Sequence, residues 1–504
     1  MRRLLEKIFG GSPAPQTMES VDELDTPLLW LSEKDPLTLR QATQGIFITG
    51  VTGSGKTSGS GSAIARSLLS YGCGGLVLTV KPAECALWQR YAKEAGREED
   101  LIVFSPDNHW RFNFLDYEMR RPGGGAGMTE NLVSLFTTVL ESTEGNGKAK
   151  GEDYWNRALK QLLRNVVDLL KIAKGRVSLP EMYDIVVSAP LSAEDLQKEQ
   201  WRDSSACYQC IREAETKARG TSNERDFDMV LGYWLKEFPN LAEKTRSIIV
   251  SSFTGMADGL IRGPMYELFC TTTNVVPEMT HEGAIVIVNL PVKEYSEVGQ
   301  AAQVIWKYLW QRATERRDVK AHPKVTMLWA DESQYFVNSH DMLYLTTARS
   351  ARAVTVFLTQ SISTYYAVLG GDGKAHAEVD ALCSNLSTKV FHAASDSVMT
   401  NWAANLFSRN WQQRASTSIS SNSGSTDSMA IGEGSGGGSM QHSQSQSTSI
   451  SDQMEFEVLP QEFTMLRKGG PENNCCVDAI IFQGGRVWNA TGKNFLKTTF
   501  NQND

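Results

Sequence analysis

Short, almost wholly apolar runs alternate with amphipathic stretches at both ends of the chain. Gly45–Thr49, Leu76–Val80 and Leu101–Phe104 read as strands separated by helices. Such alternation predicts a parallel sheet covered on both faces. After Asn113 the pattern changes to long helix-prone stretches: Asn131–Leu140, Tyr154–Ile172, Ser192–Lys217, Asp226–Phe238 and Glu243–Phe253. Leu159, Leu162, Leu163, Val166, Val167 and Leu170 recur at helical spacing and form one core-facing stripe. Apolar strand-like runs return at Ala284–Leu290, Val325–Ala330, Val354–Thr359 and Thr388–His392. Continuous apolar runs of this length suit buried parallel strands. The expected organisation is an α/β core in two parts, 36–115 and 279–504, split by an inserted all-α domain over 116–278.

Two segments fall outside this pattern. Residues 1–35 read as a flexible leader, with glycine, proline and acidic residues over 10–35. Within 416–451, fourteen of the 36 residues are serine and six are glycine. So few bulky side chains cannot repay the entropy of ordering, which predicts a flexible internal loop.

At 504 residues, 41% hydrophobic and 21% charged, the composition is that of an ordinary globular chain with room for two or three domains. A net charge of −8 leaves no global footprint for nucleic acid, so any such contact needs a local basic face or a channel. The eight cysteines form no disulfide framework. Cys207 and Cys210 have C-x-x-C spacing with no second pair at metal-finger distance, and the adjacent Cys475 and Cys476 cannot bridge without strain. No apolar run reaches eighteen residues, so no transmembrane helix is expected.

The chemistry begins at Gly50-Val51-Thr52-Gly53-Ser54-Gly55-Lys56-Thr57, a complete G-x-x-x-x-G-K-[ST] phosphate loop between a strand and a helix. Its backbone N–H groups, with those of Ser58 and the helix N-terminus, suit a triphosphate. Thus Gly50, Thr52, Gly53, Ser54, Gly55, Lys56, Thr57 and Ser58 are the nucleotide-binding candidates. Lys56 reaches the β- and γ-phosphates, and Thr57 holds Mg²⁺. Val325–Glu332 is an apolar strand ending in Asp-Glu, the form of a Walker B element. Asp331 joins the metal shell and Glu332 is the candidate general base. Gln360, at the end of the next strand, suits a sensor of the γ-phosphate. Arg349 and Arg352 lie between these strands, and in a ring of subunits Arg349 is the better candidate for an arginine finger in trans.

This ordered set resembles the type IV secretion coupling proteins, the TraG/TraD-type conjugative DNA-transfer ATPases within the FtsK/HerA class of ring motors. Besides the phosphate loop, Trp110–Asp116 is similar to the family's Asn-Pro-Leu-Asp turn, with Phe114 in place of proline. Tyr154-Trp155 is similar to the entry to the all-α domain, and Arg246–Gly263 to the helix that leaves it. Ile285–Pro291 is similar to the strand ending in Leu-Pro. Asp331-Glu332, Arg349 and Gln360-Ser361 fall on the Walker B, arginine and glutamine positions. The serine-rich segment followed by Phe456–Phe463 echoes the family's C-terminal end. The resemblance covers roughly residues 40–500.

It implies a RecA-like P-loop NTPase fold, ATP and Mg²⁺ as cofactors, and a ring of identical subunits, usually a hexamer. The implied partners are DNA, single-stranded and held without base readout, and relaxase, relaxosome or secretion-channel proteins. Channel loops are not identified by the sequence; Asn385–Lys389 and the region around Arg262 are the positions considered. Two departures stand out. The family's Asp-Pro-Lys-Gly-Glu segment reads Val80-Lys81-Pro82-Ala83-Glu84 here, which leaves Lys81 and Glu84 without a role. The N-terminal transmembrane helices of many members are not seen, which implies a cytoplasmic protein, or one peripheral at the inner membrane through partners. Two other functions fit the same residues: an ATP-gated receptor for protein effectors, and a soluble DNA translocase outside secretion.

Overall fold

The structure is a computed structural model, and it describes residues 21–144, 152–371, 373–407, 409–425 and 440–503. Strands β1 (Pro27–Ser32) and β2 (Asp35–Thr38) form a small hairpin. The main sheet contains β3 (Ile46–Thr49), β4 (Gly74–Leu78), β5 (Leu101–Phe104), β6 (Ile285–Val288), β7 (Thr326–Ala330), β8 (Ala353–Thr359) and β9 (Thr388–Phe391). Among the described residues, strands β10 (Arg409–Ser425) and β11 (Met440–Phe456) pair only with each other, and β12 (Cys476–Gln483) and β13 (Phe495–Asn501) complete the main sheet.

The nine strands lie in the order β13-β12-β9-β3-β8-β7-β4-β6-β5. The seven from β9 to β5 are parallel, whereas β12 and β13 add an antiparallel edge. Alternate residues of each strand feed two cores. Phe47, Leu328 and Ala330 join one cluster, and Ile46, Ile48, Met327 and Trp329 join the other. Coverage on both faces is what the continuous apolar runs require.

Between Phe114 and Phe269 the described residues form helices and turns and no strand. Their core is continuous with one face of the sheet through Phe104, Phe112, Phe114, Phe269 and Trp306. The chain's entry to and exit from this region are clamped together. The N–H of Phe112 donates to Leu268 O at 2.7 Å, and that of Asn274 to Arg111 O at 3.0 Å. The Asn113 side chain caps the helix Phe114–Arg120 by accepting from the Asp116 N–H. The helix expected over Ser192–Lys217 is broken into Glu199–Ser204 and Ala206–Ala218, where Ser205 caps the second piece.

Two segments expected to be flexible carry regular structure in their described parts. The part of the leader from Val21 onward is ordered: Val21–Asp25 is a short helix, and the β1–β2 hairpin follows. Asp35 at the hairpin turn is fully buried and accepts N–H groups of Asn489 and Ala490 at 2.8 and 2.9 Å, so a contact across almost the whole chain orders the segment. The expected flexible loop over 416–451 is, in its described part, a two-stranded antiparallel ribbon. Composition hid an alternation of period two. Ser416, Ser418 and Ser420 pair across the ribbon with Ser449, Ser447 and Ser445 through hydroxyl hydrogen bonds of 2.7–2.8 Å. Residues 426–439 of that segment, like residues 1–20, lie outside the described residues.

Candidate nucleotide-hydrolysis site

Because β8 sits between β3 and β7, the segments that follow these three strands converge at the carboxyl edge of the parallel sheet. They carry the phosphate loop, Asp331-Glu332 and Gln360. Ligands of open α/β sheets bind at this edge.

Within the loop, Gly53 and Gly55 adopt φ of +75° and +83°, which L-side chains resist. A Cβ on Gly55 would also lie 2.5 Å from Val477 Cγ2. The chain then winds through a wide turn, Thr57–Gly61, into the helix Ser62–Tyr71. Lys56 is buried, and its Nζ lies 3.3 Å from Glu332 Oε1, a pair 276 residues apart in sequence. The Thr57 hydroxyl donates to Asp331 Oδ2 at 2.6 Å, and the Glu332 N–H donates to Asp331 Oδ1 at 2.9 Å.

Glu332 occupies the left-handed region at φ 51° and ψ 46°. That conformation costs a non-glycine residue about 1–2 kcal/mol. It turns the carboxylate toward the loop, where Lys81 Nζ approaches the same Oε1 at 3.6 Å. The second oxygen, Oε2, accepts from Gln334 Nε2 at 2.9 Å and from Gln360 Nε2 at 3.4 Å. Burial works against the charge of Glu332. The Gln334 amide and the ammoniums of Lys56 and Lys81 outweigh it and hold the carboxyl below the usual range.

The structure thus brings Lys56, Thr57, Asp331, Glu332 and Gln360 together and adds three residues the sequence left without a role. Lys81 faces Glu332. Gln334 links Glu332 to the Thr359 hydroxyl, which donates to its Oε1 at 2.9 Å. Glu84 is buried behind Asp331, its carboxyl pushed up to about 7 by burial and next by the Asp331 charge. Spacing from the Asp-Glu pair carries no signal for Gln334; only the fold places it there.

The loop also has a floor and a wall that sequence reading missed. Ser60 Oγ lies 2.7 Å from His392 Nε2, whose Nδ1 lies 2.9 Å from Asp478 O, and burial lowers the His392 pKa to about 4. With Nδ1 against a carbonyl, a neutral ring carries its proton there and Nε2 accepts from Ser60. Gln502 Nε2 donates to Ser58 Oγ at 2.6 Å. An opening of about 550 Å³ lies beside Gly53, Gly55 and Ser58, walled by Leu466–Gly470. A second cavity, of about 270 Å³, runs along Thr52–Ser58 to Lys81 and Glu332.

The donor set fits a magnesium nucleotide. Thr57 Oγ1 and Asp331 Oδ2 are two hard oxygens already side by side, and Mg²⁺ sites use one or two such protein ligands with phosphates and waters completing the shell. The Ser54 hydroxyl is buried in the loop and has no hydrogen-bond partner among the described residues, which suits a phosphate acceptor.

Arg349 is not part of this site. It is exposed at the end of the helix Ser339–Ala348 and makes no ion pair among the described residues. Arg352 is structural: at φ 49° its Nη1 donates to Pro323 O at 2.9 Å. Lys389 is buried in β9 and donates to Leu386 O, so it cannot line a channel. Arg262 is exposed but paired with Asp258.

A strand between the phosphate-loop strand and the strand that leads into Asp331-Glu332 defines a RecA-like P-loop NTPase with an inserted all-α domain. The family model for type IV secretory system conjugative DNA transfer matches residues 19–469, and the chain belongs to that family. Among solved structures, the unbound bacterial conjugative coupling protein TrwBdeltaN70 superposes with a TM-score of 0.57 at 13% identity, over 98% of this chain and 97% of that one. Plasmid coupling protein TrwB in complex with ADP and Mg²⁺ gives 0.56 at 15% identity, over 97% and 95%. TrwB with the non-hydrolysable ATP analogue ADPNP gives 0.56 at 14%, over 99% and 98%. At these identities the likeness is one of fold. No curated protein matches the sequence. No helix among the described residues is long and apolar enough to cross a membrane.

Proposed function

We propose that the chain is an ATP-hydrolysing motor that couples DNA, alone or with bound protein, to a type IV secretion channel and drives its passage. The observation that carries this is the convergence of Lys56 and Glu332 at the sheet edge, 3.3 Å apart, in a chain of the conjugative DNA transfer family. Structures of TrwB with ADP and Mg²⁺ and with ADPNP support the same ligand class.

In this mechanism the triphosphate lies along Gly50–Ser58, and Lys56 exchanges Glu332 for the β- and γ-phosphates. Mg²⁺, held by Thr57 and Asp331, would neutralise charge that develops on the phosphate oxygens. Glu332, freed from Lys56 but still oriented by Gln334, takes the proton of the water that attacks the γ-phosphorus as the β–γ bridging bond breaks. Gln360 reports the state of the γ-phosphate through its contact with Glu332. Arg349 serves the site of a neighbouring subunit, which calls for a closed ring, a hexamer in this proposal. DNA runs through the ring as a single strand gripped by its backbone and not read by base. Relaxosome or channel proteins bring the motor to the membrane from the cytoplasmic side.

The test is ATP turnover with and without single-stranded DNA of several sequences. Stimulation independent of sequence and weakened by salt supports the motor. Turnover indifferent to DNA but raised by a protein cargo refutes it in favour of an effector receptor.

A further inference from the structure

Glu84 lies in the first turn of the helix Ala83–Glu94 and is 8% exposed. Its Oε2 accepts the Val80 N–H at 2.7 Å, which accounts for one oxygen. The other, Oε1, has no hydrogen-bond partner among the described residues. An unsatisfied buried oxygen is costly, so it points to a ligand or to water. A cavity of about 10 Å³ lies between Glu84, Asp331 and Thr57, closed by Leu78, Trp88 and Trp329. That is the room of one water molecule. Holding the Val80 N–H needs only Oε2, so the second oxygen is free for another task.

We propose that Glu84 is a positioning residue: through one buried water it orients the Asp331 carboxylate and so sets the affinity of Thr57 and Asp331 for a divalent cation. The water donates one proton to Glu84 Oε1 and one to a second lone pair of an Asp331 carboxylate oxygen, where Oδ2 and Oδ1 already accept from the Thr57 hydroxyl and the Glu332 N–H. Partners of this kind fix a metal-ligating carboxylate in its productive orientation, and their loss commonly weakens metal binding 10–100-fold. The inference rests on the reading of this site as a magnesium–nucleotide site, and it assigns a task to a residue the hydrolysis mechanism does not use.

The probe is Mn²⁺ with ADP, bound to the full chain and followed by loss of the free-ion EPR signal. Glu84→Met removes both oxygens and is expected to weaken Mn²⁺ binding about tenfold or more. Glu84→Asp retracts the carboxyl from the cavity and is expected to do the same should the methionine variant fail to fold. In Glu84→Gln the amide oxygen still accepts from Val80 and the amide nitrogen donates to the water, so affinity stays within about threefold of wild type. Metal-free ADP binding, measured in EDTA, stays unchanged in all three. Unchanged Mn²⁺ affinity in Glu84→Met or Glu84→Asp overturns the proposal. So does an equal loss in Glu84→Gln, which would assign the effect to charge and not to the water. A wild-type chain that binds no ADP–Mn²⁺ would instead refute the reading of the site itself.

Discussion

Glu332→Gln separates binding from chemistry. In the structure the carboxylate holds Lys56 at 3.3 Å with both side chains about nine-tenths buried, whereas Lys81 at 3.6 Å is half exposed and adds little net energy. At an effective dielectric of about 20 the buried pair attracts by about 5 kcal/mol, and most of that offsets desolvation. A charge-assisted hydrogen bond of this kind is worth about 1.5–3 kcal/mol net. An arriving triphosphate must break it to capture Lys56. The glutamine variant removes that competitor, so ATP should bind roughly tenfold to a hundredfold more tightly. Turnover should fall by about 10²–10⁴, because the amide cannot accept the water's proton. Titration with a fluorescent ATP analogue and single-turnover phosphate release read the two effects separately. Normal turnover would refute Glu332 as the base. Weaker binding would show that the Lys56–Glu332 pair does not compete with phosphate.

Lys56→Ala deletes the one buried cation of the phosphate loop; nucleotide affinity is expected to fall about a hundredfold, and equilibrium binding at low salt checks it. Arg349→Ala should leave nucleotide affinity unchanged while lowering turnover about 10³-fold. Mixing it with Lys56→Ala should restore part of the activity, because each supplies what the other lacks; full activity in Arg349→Ala alone would rule out a finger in trans. His392 sets a pH dependence. Its folded pKa of about 4 lies below the ordinary 6.5, so the unfolded chain binds the proton more readily, and stability falls as pH drops from 6.5 toward 4. Thermal melts at pH 5 and 7.5 should show a smaller difference in His392→Asn than in wild type.

The site was legible in part from the chain alone because some of its chemistry is local. Gly50–Thr57 is a continuous run whose backbone geometry follows from its glycines, and Asp331-Glu332 ends an apolar strand that can only be buried. Arg349 kept its candidacy, but nothing local distinguishes a finger from a solvated arginine. Lys81, Glu84 and Gln334 were not assigned, because their roles arise from where β4, β7 and β8 end relative to one another. The pairing of the serine-rich ribbon is hidden from composition for a different cause. Mean composition carries no register, whereas the period-two pairing of Ser416–Ser420 with Ser445–Ser449 joins the two strands.

By itself, then, the sequence determined the parallel α/β core, the helical insertion and the two halves of a phosphate-transfer motif. These follow from hydrophobic period and from steric rules that act within a few residues. Only the tertiary structure decided that β8 slots between β3 and β7, that Glu332 sits in a left-handed turn against Lys56, and that β12, β13 and Gln502 wall the phosphate loop. Those contacts join residues hundreds of positions apart. Their geometry is set by the packing of the whole sheet and its two cores, which no local window of the chain contains.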